Sequence, residues 1–382
     1  MIATRDELIQ QALERTGLDD FGGDSFVEAL DVLVHSLRTE ACLNELGELV
    51  LSEMIVGHLG QRLQVEDWYR RHPEIDDEVV ERPLIGLGLP RTGSTALANL
   101  LGEDPNARSL LQWFSGEPCP PPSTVEPPDP RIAATEANHE MQMAMMPRMQ
   151  QLVPASPTGP MECQQLMGLD LRSHYFQGFA HMPSYSEYIR DGDLTSTYAY
   201  ERRALKLLQW GLPRRPWRLK CPSHLLWLDD LDTAFPDARF VMTHRDPTEV
   251  MVSVCDVYAE LRSHFNDDVD LHEIGRLNVR DWTTGMERLL DFRDRHGDNR
   301  FFDLDFRAVQ ADPMGEVRRL QDWLGEPVTS EFEAGMRRWW SHHAETHEPN
   351  VHPEPHEFGL DLVAVSRGFA GYNSRMPDWV GV

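Results

Sequence analysis

The sequence predicts an α/β protein in which a parallel sheet is flanked by helices, with further helical segments at both ends. Short apolar runs at 84–89, 238–244 and 300–306 have the length of buried strands. Segments with helix-type periodicity lie between and around these runs. Because strands and helices alternate along the chain, we expect parallel pairing with right-handed crossovers.

The first apolar run leads into a glycine-rich turn with the spacing of a P-loop. The turn reads Gly88-Leu-Pro-Arg-Thr-Gly-Ser-Thr95, and good helix formers follow it. Glycine lets the backbone approach a ligand closely, and a helix N-terminus presents free N–H groups to an anion. Nucleoside triphosphate enzymes carry lysine where this chain has Ser94, which argues against γ-phosphoryl transfer. The positive charge lies inside the loop instead, at Arg91; an ordinary glycine-rich turn is the alternative.

The N-terminal part is predicted to be helical from residue 4 to residue 72. Apolar residues recur there at three- and four-residue steps, Ser25 can cap a helix after Gly22-Gly23, and Pro73 ends the last one. A further helix is expected over 41–63. We expect packing surface and no chemistry in this region.

The middle of the chain combines a proline-rich crossing with a methionine-rich helix. The many prolines of 118–130 predict a stiff extended segment, and a helix is expected over Ala133 to Gln151. Its methionines either fill the core or form an apolar wall for a hydrophobic acceptor; they are Met141, Met143, Met145, Met146 and Met149. Three further helices are predicted in the aromatic segment that follows, at 162–170, 184–191 and 196–210.

The second half of the chain continues the alternation of strands and helices. A short strand is expected over Arg218 to Cys221, followed by a helix over Ser223 to Thr233. Asp246 and Pro247 form a good helix start, and that helix carries Ser253. Later helices are expected at 276–296, 314–324 and 330–340. These elements predict an N-terminal region over 1–80, a P-loop α/β domain over 81–325 with an insertion over 118–210, and an extension over 326–382.

Composition and charge argue against several classes of partner and binding site. The formal net charge of −27 and the pI near 4.9 argue against a nucleic acid as partner, since that partner needs a basic surface. No apolar run has the length of a membrane span or of a signal peptide core. The five cysteines are scattered, which is typical of reduced thiols in a cytoplasmic protein. His343 and His347 have a metal-like spacing, but nearby prolines break the segment, and we predict no metal site there.

Three segments together resemble the bacterial family of sulfotransferases that use 3′-phosphoadenosine 5′-phosphosulfate (PAPS) as donor. They are the loop Pro90-Arg-Thr-Gly-Ser-Thr95, the strand Trp217-Arg-Leu-Lys-Cys-Pro-Ser-His-Leu225, and Phe240-Val-Met-Thr-His-Arg-Asp-Pro247 with Ser253 following. The resemblance implies a P-loop sulfotransferase fold and transfer of a sulfuryl group from PAPS, with release of PAP and no need for a metal.

The resemblance also implies roles for individual residues. Lys220 would be catalytic at the bridging oxygen, while Arg245 and Ser253 would bind the 3′-phosphate. Arg367 is implied as a further contact, although the preceding segment 353–360 departs from the family. The 5′-phosphate would be held by the loop, that is by Pro90, Arg91, Thr92, Gly93, Ser94 and Thr95, with Arg91 also catalytic.

The general base and the acceptor are less well defined. We favour His224, whose ordinary pKa suits proton abstraction near neutrality, over Glu162, which matches an acidic position of the resembling group. The expected acceptor is a small, apolar alcohol or phenol, or a lipid. A kinase-like P-loop transferase and an inactive binding protein on the same fold are the alternatives. A homodimer is compatible with all three hypotheses.

Overall fold

The computed structural model describes residues 2–154, 156–346 and 351–376. Within these ranges the strands are β1 (Leu84–Leu87), β2 (Arg108–Ser109), β3 (Trp217–Lys220), β4 (Arg239–His244) and β5 (Phe301–Asp305). They form one parallel sheet in the order β2-β3-β1-β4-β5. The predicted α/β class with a parallel sheet is confirmed. The two-residue edge strand β2 was not predicted, because it is too short for a hydrophobic pattern.

Three long helices form the N-terminal region, as the periodicity predicts: α1 (Arg5–Thr16), α2 (Ser25–Thr39) and α3 (Glu45–Arg71). A capping box between Thr4 and Glu7 starts α1, and Asn44 caps α3 by accepting from the amide of Gly47. The third helix runs eight residues past the predicted end at residue 63, up to the proline that stops it.

Fifteen further α-helices follow in the described residues. They are α4 (Ser94–Gly102), α5 (Gln112–Ser115), α6 (Pro130–Met145), α7 (Pro147–Leu152), α8 (Gln164–Met167), α9 (Pro183–Asp191), α10 (Thr195–Gln209), α11 (Leu228–Ala234), α12 (Pro247–Phe265), α13 (Leu271–His296), α14 (Phe306–Ala311), α15 (Pro313–Leu324), α16 (Ser330–Thr346), α17 (Leu362–Gly368) and α18 (Ala370–Arg375). The predicted helix over 133–151 is divided at Pro147, because proline cannot donate the hydrogen bond that would continue α6. The helix predicted over 223–233 begins as a 3-10 helix, Pro222–Trp227, before α11.

Both faces of the sheet are covered by apolar side chains. In β1, Ile85 belongs to a large core shared with the N-terminal helices, whereas Leu84 belongs to a smaller core with Leu320 and Phe332 from α15 and α16. This alternation follows from the two-residue period of a strand. The same large core includes Tyr372 of α18, so helices from both ends of the chain pack against the sheet.

The carboxyl ends of β1, β3, β4 and β5 meet at one edge of the sheet. The glycine-rich turn follows β1, Lys220 ends β3, Arg245 follows β4 and Phe306 follows β5. Ligands of open α/β proteins bind at this edge, so the candidate site lies where the strand order requires. Among the described helices, none is both long and apolar enough to cross a membrane.

Candidate functional site

The turn after β1 has the backbone shape of an anion cradle. Gly88, Arg91 and Gly93 have φ of 126°, 64° and 84°. A Cβ on Gly88 would lie 2.7 Å from the carbonyl oxygen of Thr243, so only glycine fits against β4. Gly93 is the N-cap of α4 and offers no capping side chain, which leaves the first N–H groups of that helix open to a ligand.

Thr92 supports this turn through its side chain. Its hydroxyl is buried, donates to the carbonyl of Leu89 at 2.8 Å, and lies 2.6 Å from the hydroxyl of Thr243. Both bonds are internal to the protein. The sequence-based assignment of Thr92 to ligand binding is therefore restricted to its backbone amide, and its hydroxyl holds the turn against β4.

Arg91 is the cation at the centre of the site. Its Nε donates to Ser253 on α12 at 3.1 Å, and burial, followed by the charge of Arg245, lowers its pKa. Among the residues that the structure describes, no carboxylate forms an ion pair with Arg91. A mostly buried guanidinium without an anionic partner is costly, so its position favours a bound anion.

Arg245 lies beside Arg91 on the other wall. Its Nη1 donates to the backbone carbonyl of Arg91 at 3.1 Å, and its Nε pairs with Glu249 at 2.9 Å. The guanidinium stands over the Phe306 ring, with its carbon 4.7 Å from the ring centre. The structure thus brings Arg91, Arg245 and Ser253 together, whereas the sequence grouped only Arg245 with Ser253.

Lys220 and Glu162 form an ion pair at the end of β3. The Lys220 ammonium donates to Glu162 at 2.9 Å and to the hydroxyl of Thr95 at 3.3 Å, which places it above the first turn of α4. Glu162 also accepts from the amide of Gln164 at 2.7 Å. The lysine side chain is 8% exposed and the glutamate 26% exposed, so the carboxylate remains accessible. Gln164 was not predicted, although it lies only two positions from Glu162.

His224 does not lie in this group, and its assignment as general base is corrected. The side chain is fully buried, and its Nδ1 lies 2.9 Å from the hydroxyl of Tyr198 on α10. Burial lowers the pKa of His224 to about 3. The 3-10 turn after β3 directs this histidine into the core, where it cannot take a proton from an acceptor. Glu162, the second candidate, is the carboxylate that the structure places beside Lys220.

The predicted contact of Arg367 with the donor has less support. Arg367 is exposed on α17, where it lines a surface cavity with Ser366 and Asn373. No contact between described residues joins it to Arg91, Arg245 or Ser253. His343 stacks on Trp339 with ring centres 4.8 Å apart, while His347 lies outside the described residues.

An unpredicted polar network borders the site on α12. Asp256, one turn after Ser253, is 1% exposed and accepts from Arg148 of α7 at 2.7 and 2.8 Å. His352, from the segment that follows α16, contacts the same carboxylate at 2.7 Å. Two methionines of α6, Met141 and Met145, are 57% and 46% exposed and so do not fill the core. The methionine-rich segment is therefore tied to the helix that carries Ser253.

Comparisons with known proteins agree with this geometry. The model of the sulfotransferase family matches residues 83–330. The solved structure of sulfotransferase STF9 from Mycobacterium avium is similar over 98% of this chain and 97% of its own, with 35% identity and a TM-score of 0.91. Sulfotransferase STF1 from Mycobacterium tuberculosis H37Rv is similar over 97% of this chain and 99% of its own, with 31% identity and a TM-score of 0.81. Among curated proteins there is no match. The chain belongs to the sulfotransferase family.

Proposed function

We propose that this protein transfers the sulfuryl group of PAPS to a hydroxyl of a small apolar acceptor. The observation that carries the proposal is the mostly buried Arg91, which has no carboxylate ion pair among the described residues and lies beside an uncapped helix N-terminus. The Lys220–Glu162 pair stands on the other side of the same turn. Sulfuryl transfer needs anion binding and acid–base chemistry, and we assign the first to Arg91 and the second to the Lys220–Glu162 pair.

The residues present fit a donor with two separate phosphate groups. The amides of the glycine-rich turn, Ser94 and Thr95 would hold the 5′-phosphate, because they surround the start of α4. Arg245 and Ser253 lie on the far side of Arg91 and would hold the 3′-phosphate. When bound, PAPS supplies a sulfuryl group attached to a phosphate that can leave as PAP.

Lys220 and Glu162 would carry the chemical step. Glu162 takes the proton of the acceptor hydroxyl as the acceptor oxygen forms its bond to sulfur. Lys220 donates a hydrogen bond to the bridging oxygen, where negative charge develops as the sulfur–oxygen bond to the leaving phosphate breaks. Thr95, which accepts from Lys220 at 3.3 Å, holds the ammonium above the glycine-rich turn. No residue role in this step requires a metal.

The acceptor is proposed from the methionine-rich segment. Arg148 ties α7 to α12 through Asp256 and Glu260, so the exposed methionines of α6 lie on a segment anchored beside the donor site. Thioether side chains adapt to apolar ligands of varied shape. We therefore propose an apolar alcohol, phenol or lipid. All five cysteines are free, which fits our proposal of a cytoplasmic enzyme.

The test is selective stabilisation by the product nucleotide. At a hundredfold excess over its Kd, PAP should raise the free energy of unfolding by ~2.7 kcal/mol, which is a shift of several degrees in Tm. ADP and ATP lack the 3′-phosphate and should stabilise far less. Equal stabilisation by ATP, or a requirement for Mg²⁺, would instead indicate a kinase-like transferase. PAP binding without turnover on any acceptor would indicate an inactive binding protein.

A further inference from the structure

A second cluster of chemically capable side chains lies outside the reaction site. Cys163, Glu201 and His224 come from the turn before α8, from α10 and from the 3-10 helix after β3, and each is 0% exposed. One donor atom from each lies within 4.8 Å of the other two. A thiol, a carboxyl group and an imidazole seldom meet in a dry interior without a shared partner.

The cluster leaves several polar atoms without partners outside the cluster itself. The Nε2 of His224 has no hydrogen-bond partner within the described part of the chain, and the Glu201 oxygens have none apart from an interaction with the Cys163 thiol of the same cluster. Buried polar atoms are nearly always paired, since each unpaired one costs roughly 1–3 kcal/mol. The other ring nitrogen, Nδ1, contacts the Tyr198 hydroxyl at 2.9 Å. When Nδ1 holds the proton and donates it to Tyr198, Nε2 keeps a free lone pair.

We propose that Cys163, Glu201 and His224 form a structural Zn²⁺ site. Each residue offers one ligand atom, namely the Cys163 sulfur, the His224 Nε2 and one Glu201 oxygen, and the second oxygen of that carboxylate completes the coordination as a chelating ligand. Zinc bonds of roughly 2.0–2.3 Å separate ligand atoms from different residues by about 3.5 Å, so inward rotations of about 1 Å suffice. A thiolate, a carboxylate and a neutral imidazole balance the charge of one Zn²⁺. The sulfur and nitrogen donors disfavour Mg²⁺ and Ca²⁺, which prefer oxygen.

The cluster lies next to Glu162 and Lys220 along the chain, so a metal bound there could position both residues. Cys163 directly follows Glu162, and His224 lies four residues after Lys220. The two segments already share one backbone bond, from the Cys163 amide to the Lys220 carbonyl at 3.2 Å. A metal bound between them would fix the spacing of Glu162 and Lys220 from the interior. Cys163, Glu201 and His224 would then be positioning residues.

The test measures metal content and ligand chemistry on the full chain. Protein made in zinc-supplemented medium and dialysed should retain about one zinc per chain, and chelation should lower its Tm by several degrees. Refilling the metal-free protein with Co²⁺ should give a thiolate-to-cobalt charge-transfer band in the near ultraviolet. Histidines of the C-terminal segment cannot produce this band, because it requires a sulfur ligand.

Variants identify the ligands. C163S should abolish the cobalt band, whereas C255S, which alters a buried cysteine on α12 outside the cluster, should keep it. E201Q should weaken zinc binding by at least ~10–100-fold, because even the loss of a residue that only hydrogen-bonds a metal ligand has an effect of that size. The proposal is overturned if wild-type protein takes up no metal, or if bound Co²⁺ shows no charge-transfer band. Loss of the band in C221S but not in C163S would also refute the assignment.

Discussion

Replacing Glu162 with glutamine separates its role as base from its role as partner of Lys220. The glutamine oxygen can still accept from the Lys220 ammonium, which lies 2.9 Å from the present carboxylate. Gln164 donates to the second oxygen at 2.7 Å and has an unpartnered oxygen of its own, so its amide can rotate to accept from the new N–H. The substitution therefore preserves the local hydrogen bonds while it removes the negative charge of the carboxylate and its ability to take a proton.

The expected loss is large in kcat and small in donor binding. General base catalysis contributes typically ~10²–10⁴-fold, equivalent to roughly 3–5.5 kcal/mol of the barrier. E162Q should lower kcat by that range, while the Kd for PAP should change by less than about threefold. The first is measured as PAP released at saturating PAPS with a phenol or alcohol that the wild type uses, and the second by calorimetry.

A matched control uses the other carboxylate that pairs with a cation of the site. E249Q alters the exposed partner of Arg245 and should leave kcat within about twofold of wild type. If E162Q keeps more than a tenth of wild-type kcat, the carboxylate is not the base. If E162Q loses PAP binding together with turnover, its main role is to hold Lys220 for the donor.

Three further outcomes follow from the same contacts. R245A should raise the Kd for PAP by roughly 10–100-fold, because one or two charge-assisted hydrogen bonds to the nucleotide are lost. It should leave kcat at saturating donor nearly unchanged. An effect on kcat alone would contradict the assignment of Arg245 to the 3′-phosphate. T92V should lower the free energy of unfolding by about 1–3 kcal/mol in urea titrations, because its two partners stay buried, and T92S should restore most of it. Burial opposes ionisation of Asp303, but hydrogen bonds from Arg293 and His244 outweigh it and lower its pKa to about 2. The ionised Asp303 carboxylate therefore contributes about 2 kcal/mol to the free energy of unfolding. This contribution is present above the ordinary pKa of an aspartate, near 4, and is lost as the pH falls towards 2. The difference in unfolding free energy between D303N and wild type should therefore shrink over that interval.

The position of the cations of the candidate site at the sheet edge could be predicted from the sequence, because they belong to local patterns. Arg91 lies inside a glycine-rich turn, and Arg245 follows directly after a strand, so the position of each at the sheet edge follows from topology. The pairing of Arg91 with Ser253 was not predicted, because it joins residues 162 positions apart and the resemblance grouped Ser253 with Arg245. The network of Arg148, Asp256 and His352 had no local signal at all.

His224 shows where sequence reasoning fails. A histidine just after a strand that ends at the ligand edge is a reasonable base, but the direction of its side chain depends on the turn geometry. Pro222 begins a 3-10 helix, and this turn buries the histidine against Tyr198. Similarly, the sequence could not show that Glu201, from a helix with an ordinary amphipathic pattern, would reach the same interior cluster.

The charge distribution explains how such an acidic chain can bind an anionic donor. The net charge of −27 disfavours long polyanions across the whole surface, yet Arg91, Arg245 and Lys220 converge at one sheet edge beside the positive end of α4. Two of these cations are held by accessible carboxylates, Glu249 and Glu162, whereas Arg91 has no such pair among the described residues. A compact anion with two phosphate groups could thus bind Arg91 and compete with carboxylates only at its ends. The proposed preference for a compact nucleotide over nucleic acid rests on the small size of this positive region.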